Sequence, residues 1–306
     1  MTDTSFLMAD GHRLPLHHWA PVDEPAGGPE AVIVAVHGFN DYGRFFENFA
    51  TYLAGEGIPS YAYDQRGFGA NPDAGIWAGV DAYPQDLREV VNVVRSRHAG
   101  VPLYVFGESM GGGTTMLAKA EPPGLDADGI ILAAPAIWGR ETMPFYQRWL
   151  LDLSAHILPG LSLTGEGLKI QPSDNIEMLR AMGRDPLVIK KTRVDAVYGV
   201  VNLMDRALDV SGELGPDTLV LYGARDDVIQ EDPTREMLRR FPRDAARRPR
   251  IALYEDGYHM LIRDLVAPVI WADVLAWIRD RNGPLPSGAD GAGEAFLQRA
   301  LEDAGS

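Results

Sequence analysis

The chain has 306 residues, with 28 Lys and Arg against 43 Asp and Glu and a formal net charge of -15. That length exceeds one ordinary core and suits a large α/β domain with an insertion, and the negative charge repels nucleic acid and anionic membrane surfaces. The chain has no cysteine, which excludes disulfides, thiolate metal sites and a cysteine nucleophile. The sequence opens without a basic-then-apolar signal pattern, and no apolar run reaches the roughly 18 residues of a membrane span, so a soluble, cytoplasmic protein is expected.

Residues 6–9 and 14–19 are strand-like and flank Asp10-Gly11, which predicts a two-residue hairpin. A Pro/Gly loop over 22–29 leads to 31–36, AVIVAV, a buried strand that ends at His37-Gly38-Phe39-Asn40. Phe45, Phe46, Phe49 and Leu53 recur at helical spacing within 44–55. A strand over 59–63 runs into the polar, glycine-rich loop Asp64-Gln65-Arg66-Gly67-Phe68-Gly69. Leu87, Val90, Val91 and Val94 mark a helix over 81–98.

The chain is organised around residues 102–119. Leu103 to Phe106 is a continuous apolar run that suits an interior parallel strand, and Thr114 to Leu117 lie in a following helix. Between them stands Gly107-Glu108-Ser109-Met110-Gly111, a G-x-S-x-G pentapeptide. At such an elbow the chain reverses so sharply that side chains two residues before and after the serine would collide, hence the glycines. The serine hydroxyl is exposed above the sheet, and the Met110 amide points the same way at a helix N-terminus, where negative charge is favoured.

After a further strand over 129–134 the rhythm breaks. Residues 137–215 carry helical patterns and no convincing strand. Phe145, Trp149, Leu150, Leu153 and Ile157 lie along one side of a helix over 141–157. Asp174 with Glu177 reads as a capping box, and Asp195 as the cap of a helix through Leu208. The block reads as a helical cap inserted into the sheet domain. The sheet resumes with strands over 218–222 and 250–254 and helices over 233–241 and 268–281. Residues 282–293 read as a linker, and 294–302 as a short amphipathic helix. Four parts result: core over 1–136, cap over 137–215, core over 216–282, and linker with tail over 283–306. The fold class is α/β, a mostly parallel central sheet with helices on both faces.

A serine alcohol needs a base, and the base needs an acid to orient it. In open α/β sheets such groups gather at the carboxyl ends of strands. The strand over 218–222 is followed by Gly223-Ala224-Arg225-Asp226-Asp227, and the strand over 250–254 by Glu255-Asp256-Gly257-Tyr258-His259. The order serine, acid, histidine results, with either aspartate as the acid. His37, His98 and His156 compete for the base, but only His259 stands in a post-strand loop in the right chain order.

These segments, with His37-Gly38-Phe39 and Asp64 to Gly69, resemble the monoacylglycerol lipase/lysophospholipase branch of the α/β-hydrolases over roughly residues 6–282. The resemblance implies a Ser109, Asp226, His259 triad, because the acid there stands three residues after the glycine. It implies oxyanion-hole amides from Phe39 and Met110, and loop-bracing roles for Asp64 and Arg66. Glu108 departs from a histidine seen in many relatives and is read as structural. The expected activity is ester hydrolysis on a small lipid ester through an acyl-enzyme, with no metal or organic cofactor and no nucleic-acid partner. Trp138, Phe145, Trp149 and Leu153 are the expected acyl-binding side chains, and the cap is expected to make transient contact with lipid interfaces. The rivals are another hydrolase on this scaffold (an aminopeptidase, thioesterase or carbon–carbon-bond hydrolase) and a non-catalytic ligand-binding module.

Overall fold

The computed structural model describes residues 1–2, 4–23, 27–143, 145, 155, 157–164 and 170–303. Its strands are β1 (Ser5–Leu7), β2 (Arg13–Trp19), β3 (Val32–Val36), β4 (Ser60–Tyr63), β5 (Leu103–Glu108), β6 (Gly129–Ala133), β7 (Ser162–Thr164), β8 (Lys191–Arg193), β9 (Thr218–Gly223) and β10 (Arg250–Tyr254). Eight of them form one sheet in the order β1-β2-β4-β3-β5-β6-β9-β10. The pairs from β4 to β10 are parallel, and β1 and β2 join antiparallel at one edge.

The interior strands are apolar throughout because both of their faces are covered, and their period of two sorts the side chains. Val32, Val34, Val105, Ile130, Leu132 and Val220 face one layer. It is built from Leu87, Val90 and Val94 of α2 (Ala82–Arg97), Met116 of α3 (Met110–Ala120) and Met237 of α6 (Glu231–Arg240). Ile33, Ala35, Phe106, Ile131 and Leu221 face the other, against Phe49 and Leu53 of α1 (Glu47–Gly55) and Ile270, Val274 and Trp277 of α7 (Ala267–Arg279). Each fully buried side chain of this size stabilises the fold by about 1.5–3 kcal/mol.

Several local features differ from the sequence reading. The first hairpin turns through three residues, Ala9-Asp10-Gly11. The Met8 amide donates to the His12 carbonyl at 2.9 Å, and Gly11 takes φ +86°, the left-handed position of a bulged three-residue loop. Within 137–215 two short strands, β7 and β8, pair antiparallel in a ladder of their own. The cap of α4 (Ile176–Arg184) is Asn175, whose side chain accepts from the Met178 amide at 3.2 Å. Asp174 instead accepts from the Leu265 amide at 2.8 Å. The helix α5 (Val194–Asp209) packs on α3 through Val200 and Leu203, which join Met110 and Leu117 in one apolar cluster.

The C-terminal helix is longer than the sequence suggested. It is α8 (Ala289–Glu302), and it docks on the sheet through Phe296, Leu297 and Ala300. Phe296 stacks on Tyr222 of β9 at 5.8 Å, and a Cβ on Gly293 would collide with the Ile251 carbonyl of β10. No helix among the described residues is long and apolar enough to cross a membrane.

Candidate active site

β5 ends at Glu108, α3 begins at Met110, and Ser109 alone makes the turn, at φ 53° and ψ -117°. A non-glycine residue in that region costs about 1–3 kcal/mol and persists only where neighbours over-determine it. Here the Ser109 amide donates to the Ala133 carbonyl at 2.9 Å. Its carbonyl accepts from the amides of Ala136 at 2.8 Å and Gly113 at 3.0 Å. The flanking glycines are required by contact: a Cβ on Gly107 would lie 2.5 Å from the Gly111 carbonyl, and one on Gly111 would collide with the Val36 carbonyl.

His259 follows β10, and its Nε2 lies 3.0 Å from the Ser109 hydroxyl. Its Nδ1 lies 2.8 Å from Asp226 Oδ2. The other Asp226 oxygen accepts the amides of Val228 at 2.8 Å and Ile229 at 2.9 Å, so the carboxylate cannot swing away. Asp227 is exposed and turned outward. Burial works against a charged His259, but the charge and hydrogen bond of Asp226, with help from Glu108, outweigh it. The imidazole is held above its ordinary value.

The other histidines have different work. Buried His37 donates from Nδ1 to the Gly38 carbonyl at 2.7 Å and accepts from the Gln65 amide at Nε2, 2.9 Å away. It shapes the loop after β3. That loop passes beside the nucleophile: a Cβ on Gly38 would sit 3.2 Å from Ser109 Cβ. Phe39, next in the chain, packs edge-on to Phe68 at 5.7 Å and Trp77 at 6.3 Å. The amides of Phe39 and Met110 therefore belong to the two segments that flank Ser109. His98 bonds the Tyr61 hydroxyl at 2.8 Å, away from this site, and His156 lies outside the described residues.

The loop after β4 is braced by charge. Asp64 accepts from the amides of Gly43 and Ala70, both at 2.8 Å, and pairs with His17 at 2.7 Å. Arg66 bonds Asp86 through two nitrogens, at 2.7 and 2.8 Å, and reaches Asp10 at 2.6 Å. These are holding contacts.

The expected acyl-binding side chains are found elsewhere or not described. Trp138 is partly buried against the main core beside the sheet, and Phe145 is 82% exposed. Trp149 and Leu153 lie outside the described residues. The apolar side chains that join the Phe39 and Met110 cluster include Phe68, Trp77, Tyr83, Ile189, Val200, Leu203 and Met204. Phe68 and Trp77 were hidden in loops without periodicity. Val200, Leu203 and Met204 share one face of a predicted helix and could have been found there.

Sequence reasoning also missed Arg263. Its guanidinium is buried between Glu108 at 2.6 Å and Asp41 at 2.7 Å. The available signal was Glu108 itself, an acid inside an apolar, glycine-framed elbow that demands a buried cation.

A mostly parallel eight-stranded sheet, helices on both faces and a serine elbow with acid and histidine on later strand ends define the α/β-hydrolase fold. The sequence matches the Hydrolase_4 family, described as serine aminopeptidase, S33, over residues 27–265, and the chain belongs to that family. It is 24% identical over 289 residues to the monoacylglycerol lipase of Mycolicibacterium smegmatis, spanning 90% of this chain and 96% of that protein. It is 24% identical over 280 residues to the monoglyceride lipase of Homo sapiens, spanning 90% and 89%. A soluble variant of monoglyceride lipase from Saccharomyces cerevisiae, solved with a substrate analog, superposes with a TM-score of 0.73. Its identity is 20%, over 92% of this chain and 96% of that one.

Proposed function

We propose that this chain hydrolyses carboxylic esters of monoacylglycerol or lysophospholipid type through an acyl-enzyme on Ser109. The observation that carries the proposal is the unbroken relay from Ser109 through His259 to Asp226, at 3.0 and 2.8 Å. His259 removes the serine proton as the oxygen attacks the ester carbonyl, and Asp226 fixes the imidazole tautomer and stabilises its charged form. The amides of Phe39 and Met110 receive the oxyanion; losing one such donor costs about 3–4 kcal/mol. His259 then protonates the leaving alcohol, and water repeats the cycle. Because the base must be neutral to accept the proton and its pKa is raised, activity falls as pH drops, and it does so at a higher pH than an unperturbed histidine would set.

In this reading α5 of the insert packs beside the elbow, and the apolar cluster around Phe39, Trp77 and Met204 receives the acyl chain. Each methylene buried there contributes about 0.8 kcal/mol. Ile157, Leu158, Leu161 and Leu163 are exposed apolar side chains of the insert and give it a surface for transient contact with lipid interfaces. The lipase names of the full-length relatives support the substrate class.

The family description raises an aminopeptidase reading, which needs a carboxylate facing the serine to bind a substrate amine. Of the acids considered for it, Glu141 pairs with Arg240, Glu177 with Arg180 and Asp205 with Arg140, while Asp152 is outside the described residues. Labelling with a fluorophosphonate, followed by a panel of esters and aminoacyl anilides, tests the choice. Ser109 modification and ester turnover are expected. A folded protein that resists the label, or prefers the anilides, ends the proposal.

A further inference from the structure

One guanidinium ties together the three segments that carry Ser109, the Phe39 amide and His259. Arg263 lies four residues after His259, and its amide donates back to the Met260 carbonyl at 2.8 Å. Its Nη2 donates at 2.6 Å to Glu108, the residue joined to Ser109. Its Nη1 donates at 2.7 Å to Asp41, two residues after Phe39. Asp41 is tied into the Phe39 loop by its own amide, which donates to the Gly38 carbonyl at 3.3 Å, and by its second carboxylate oxygen, which accepts the Tyr42 amide at 2.9 Å. The ring of Phe45 supports the guanidinium at 5.7 Å, and Met182 of α4 closes it from the insert side at 3.6 Å. All three ionic side chains are buried, with Arg263 8% exposed, Asp41 5% and Glu108 2%.

Such a cluster is a poor way to gain stability. Burying one cation against two carboxylates costs desolvation that apolar packing would avoid. The cluster is also incompletely satisfied: Glu108 Oε2 and Arg263 Nε are buried without a hydrogen-bond partner. Burial raises the Glu108 pKa against the pull of Arg263. For Arg263 burial opposes the charge, and the two carboxylates overcome it. What the arrangement does supply is register. The nucleophile, the base and the Phe39 amide come from segments more than 60 residues apart in the chain, and Arg263, with its planar fork, bonds two of those segments while standing on the third.

We propose that Arg263 is a positioning residue that locks the Ser109 elbow, the Phe39 loop and the His259 loop in register, and that Glu108 is its charged partner and stabilises the His259 imidazolium formed during attack. The groups that face His259 are Asp226 from the β9 loop, Glu108 from the elbow and Arg263 from its own loop, with Asp41 behind Arg263. Asp264, which holds the Tyr258 amide at 2.8 Å and the Ser173 hydroxyl at 2.6 Å, stands on the far side of that loop. Glu108 and Arg263 act on the imidazolium with opposite sign, so removing one alone unbalances the base.

This inference rests on the hydrolase reading above, and the experiment separates the two. Wild type, Arg263→Lys and Glu108→Gln are assayed for fluorophosphonate labelling rate, for kcat and KM on a soluble ester, and for kcat/KM against pH, with Tm measured alongside. Failure of the wild type to label or turn over ends the hydrolase reading. With an active wild type, Arg263→Lys keeps the charge but replaces the rigid planar fork by a single nitrogen on a flexible stem. It is expected to lower kcat by about 10- to 100-fold with KM little changed, the scale of a misplaced reacting group. Glu108→Gln keeps the shape and the Arg263 hydrogen bond but removes a negative charge beside the imidazole, so the acid limb of kcat/KM moves to lower pH. Wild-type kcat in folded Arg263→Lys, whatever its Tm, overturns the positioning role. An acid limb that stays in place in Glu108→Gln overturns the role given to its charge. Should Arg263→Lys fail to fold, the Glu108→Gln pH profile and labelling rate decide alone.

Discussion

The loops at the carboxyl ends of the parallel strands and the helical insert above them are built on opposite terms. The loops are braced by charge: Asp64, Arg66, Asp226 and Arg263 each hold backbone or side chains of a different segment at 2.7–2.8 Å. Among its described residues the insert is uneven. β7 is exposed along its length and α4 has no buried residue, while α5 is fastened by Val200, Leu203 and Ala207. Regions with few buried apolar contacts open at the least free-energy cost. Under the proposed function, the contrast puts bond chemistry on the braced loops and substrate selection on the less buried elements β7 and α4 and their neighbours.

The sharpest way to break this division is at the serine. Ser109→Ala should lower kcat by about six orders of magnitude, with the fold intact by circular dichroism. Retention of a tenth of the wild-type rate would remove Ser109 from the mechanism. Next in size is the acid: Asp226→Asn should cost about 10⁴ in kcat because the imidazole loses the tautomer that the carboxylate enforces, whereas exposed Asp227→Asn should cost little. The reverse ranking would move the acid to Asp227.

The same contrast governs what could be read from the chain. Strands β3, β5, β6, β9 and β10 were legible because burial on both faces makes them continuous apolar runs between turn signals. The elbow, the acid and the histidine were legible because strand ends fix where such groups must stand. β7 and β8 are three residues each, SLT and KTR, too short for any period to register. The start of α8 was missed because Ala289-Asp290-Gly291-Ala292-Gly293 reads as linker, and each helical glycine costs about 1 kcal/mol against alanine. Docking outweighs that cost: Arg250 bonds Asp290, and Gly293 is the residue that lets the helix approach β10. The pocket candidates were hard to place for a related reason. An aromatic stripe announces that it will be covered, but not by what, and Trp138 is covered by the core.

A stability prediction follows for the rigid part. Phe296→Ala removes the ring stacked on Tyr222, the residue before the Gly223 that opens the turn to Asp226, and leaves a cavity in the layer under β9 and β10. The expected loss is about 3–5 kcal/mol of unfolding free energy, with kcat per folded molecule unchanged. Chemical denaturation measures it, and a loss below about 1 kcal/mol would mean that α8 is loosely held.

The smallest effect should be the most selective. Met204 stands on the face of α5 that carries Val200 and Leu203 and is only partly buried, in the cluster that also holds Phe39 and Trp77. Trp77 lies flat against α5 because Gly199 has no side chain: a Cβ there would collide with the indole. The cluster thus spans from the Phe39 segment beside the serine to the insert, and Met204 forms its partly open side. An acyl chain leaving the reacting carbonyl in that direction would bury methylenes on the thioether, whereas an acetyl group would not reach it. Met204→Ala should therefore lower kcat/KM for long-chain esters relative to acetate or butyrate esters by about 1–3 kcal/mol, while leaving the acid limb of the pH profile in place. The measurement is the ratio of kcat/KM for a long to a short ester in wild type and variant, with Tm recorded for both. A lower Tm with an unchanged ratio would make Met204 packing between insert and core, and chain-length selection would then have to come from another side of the roof.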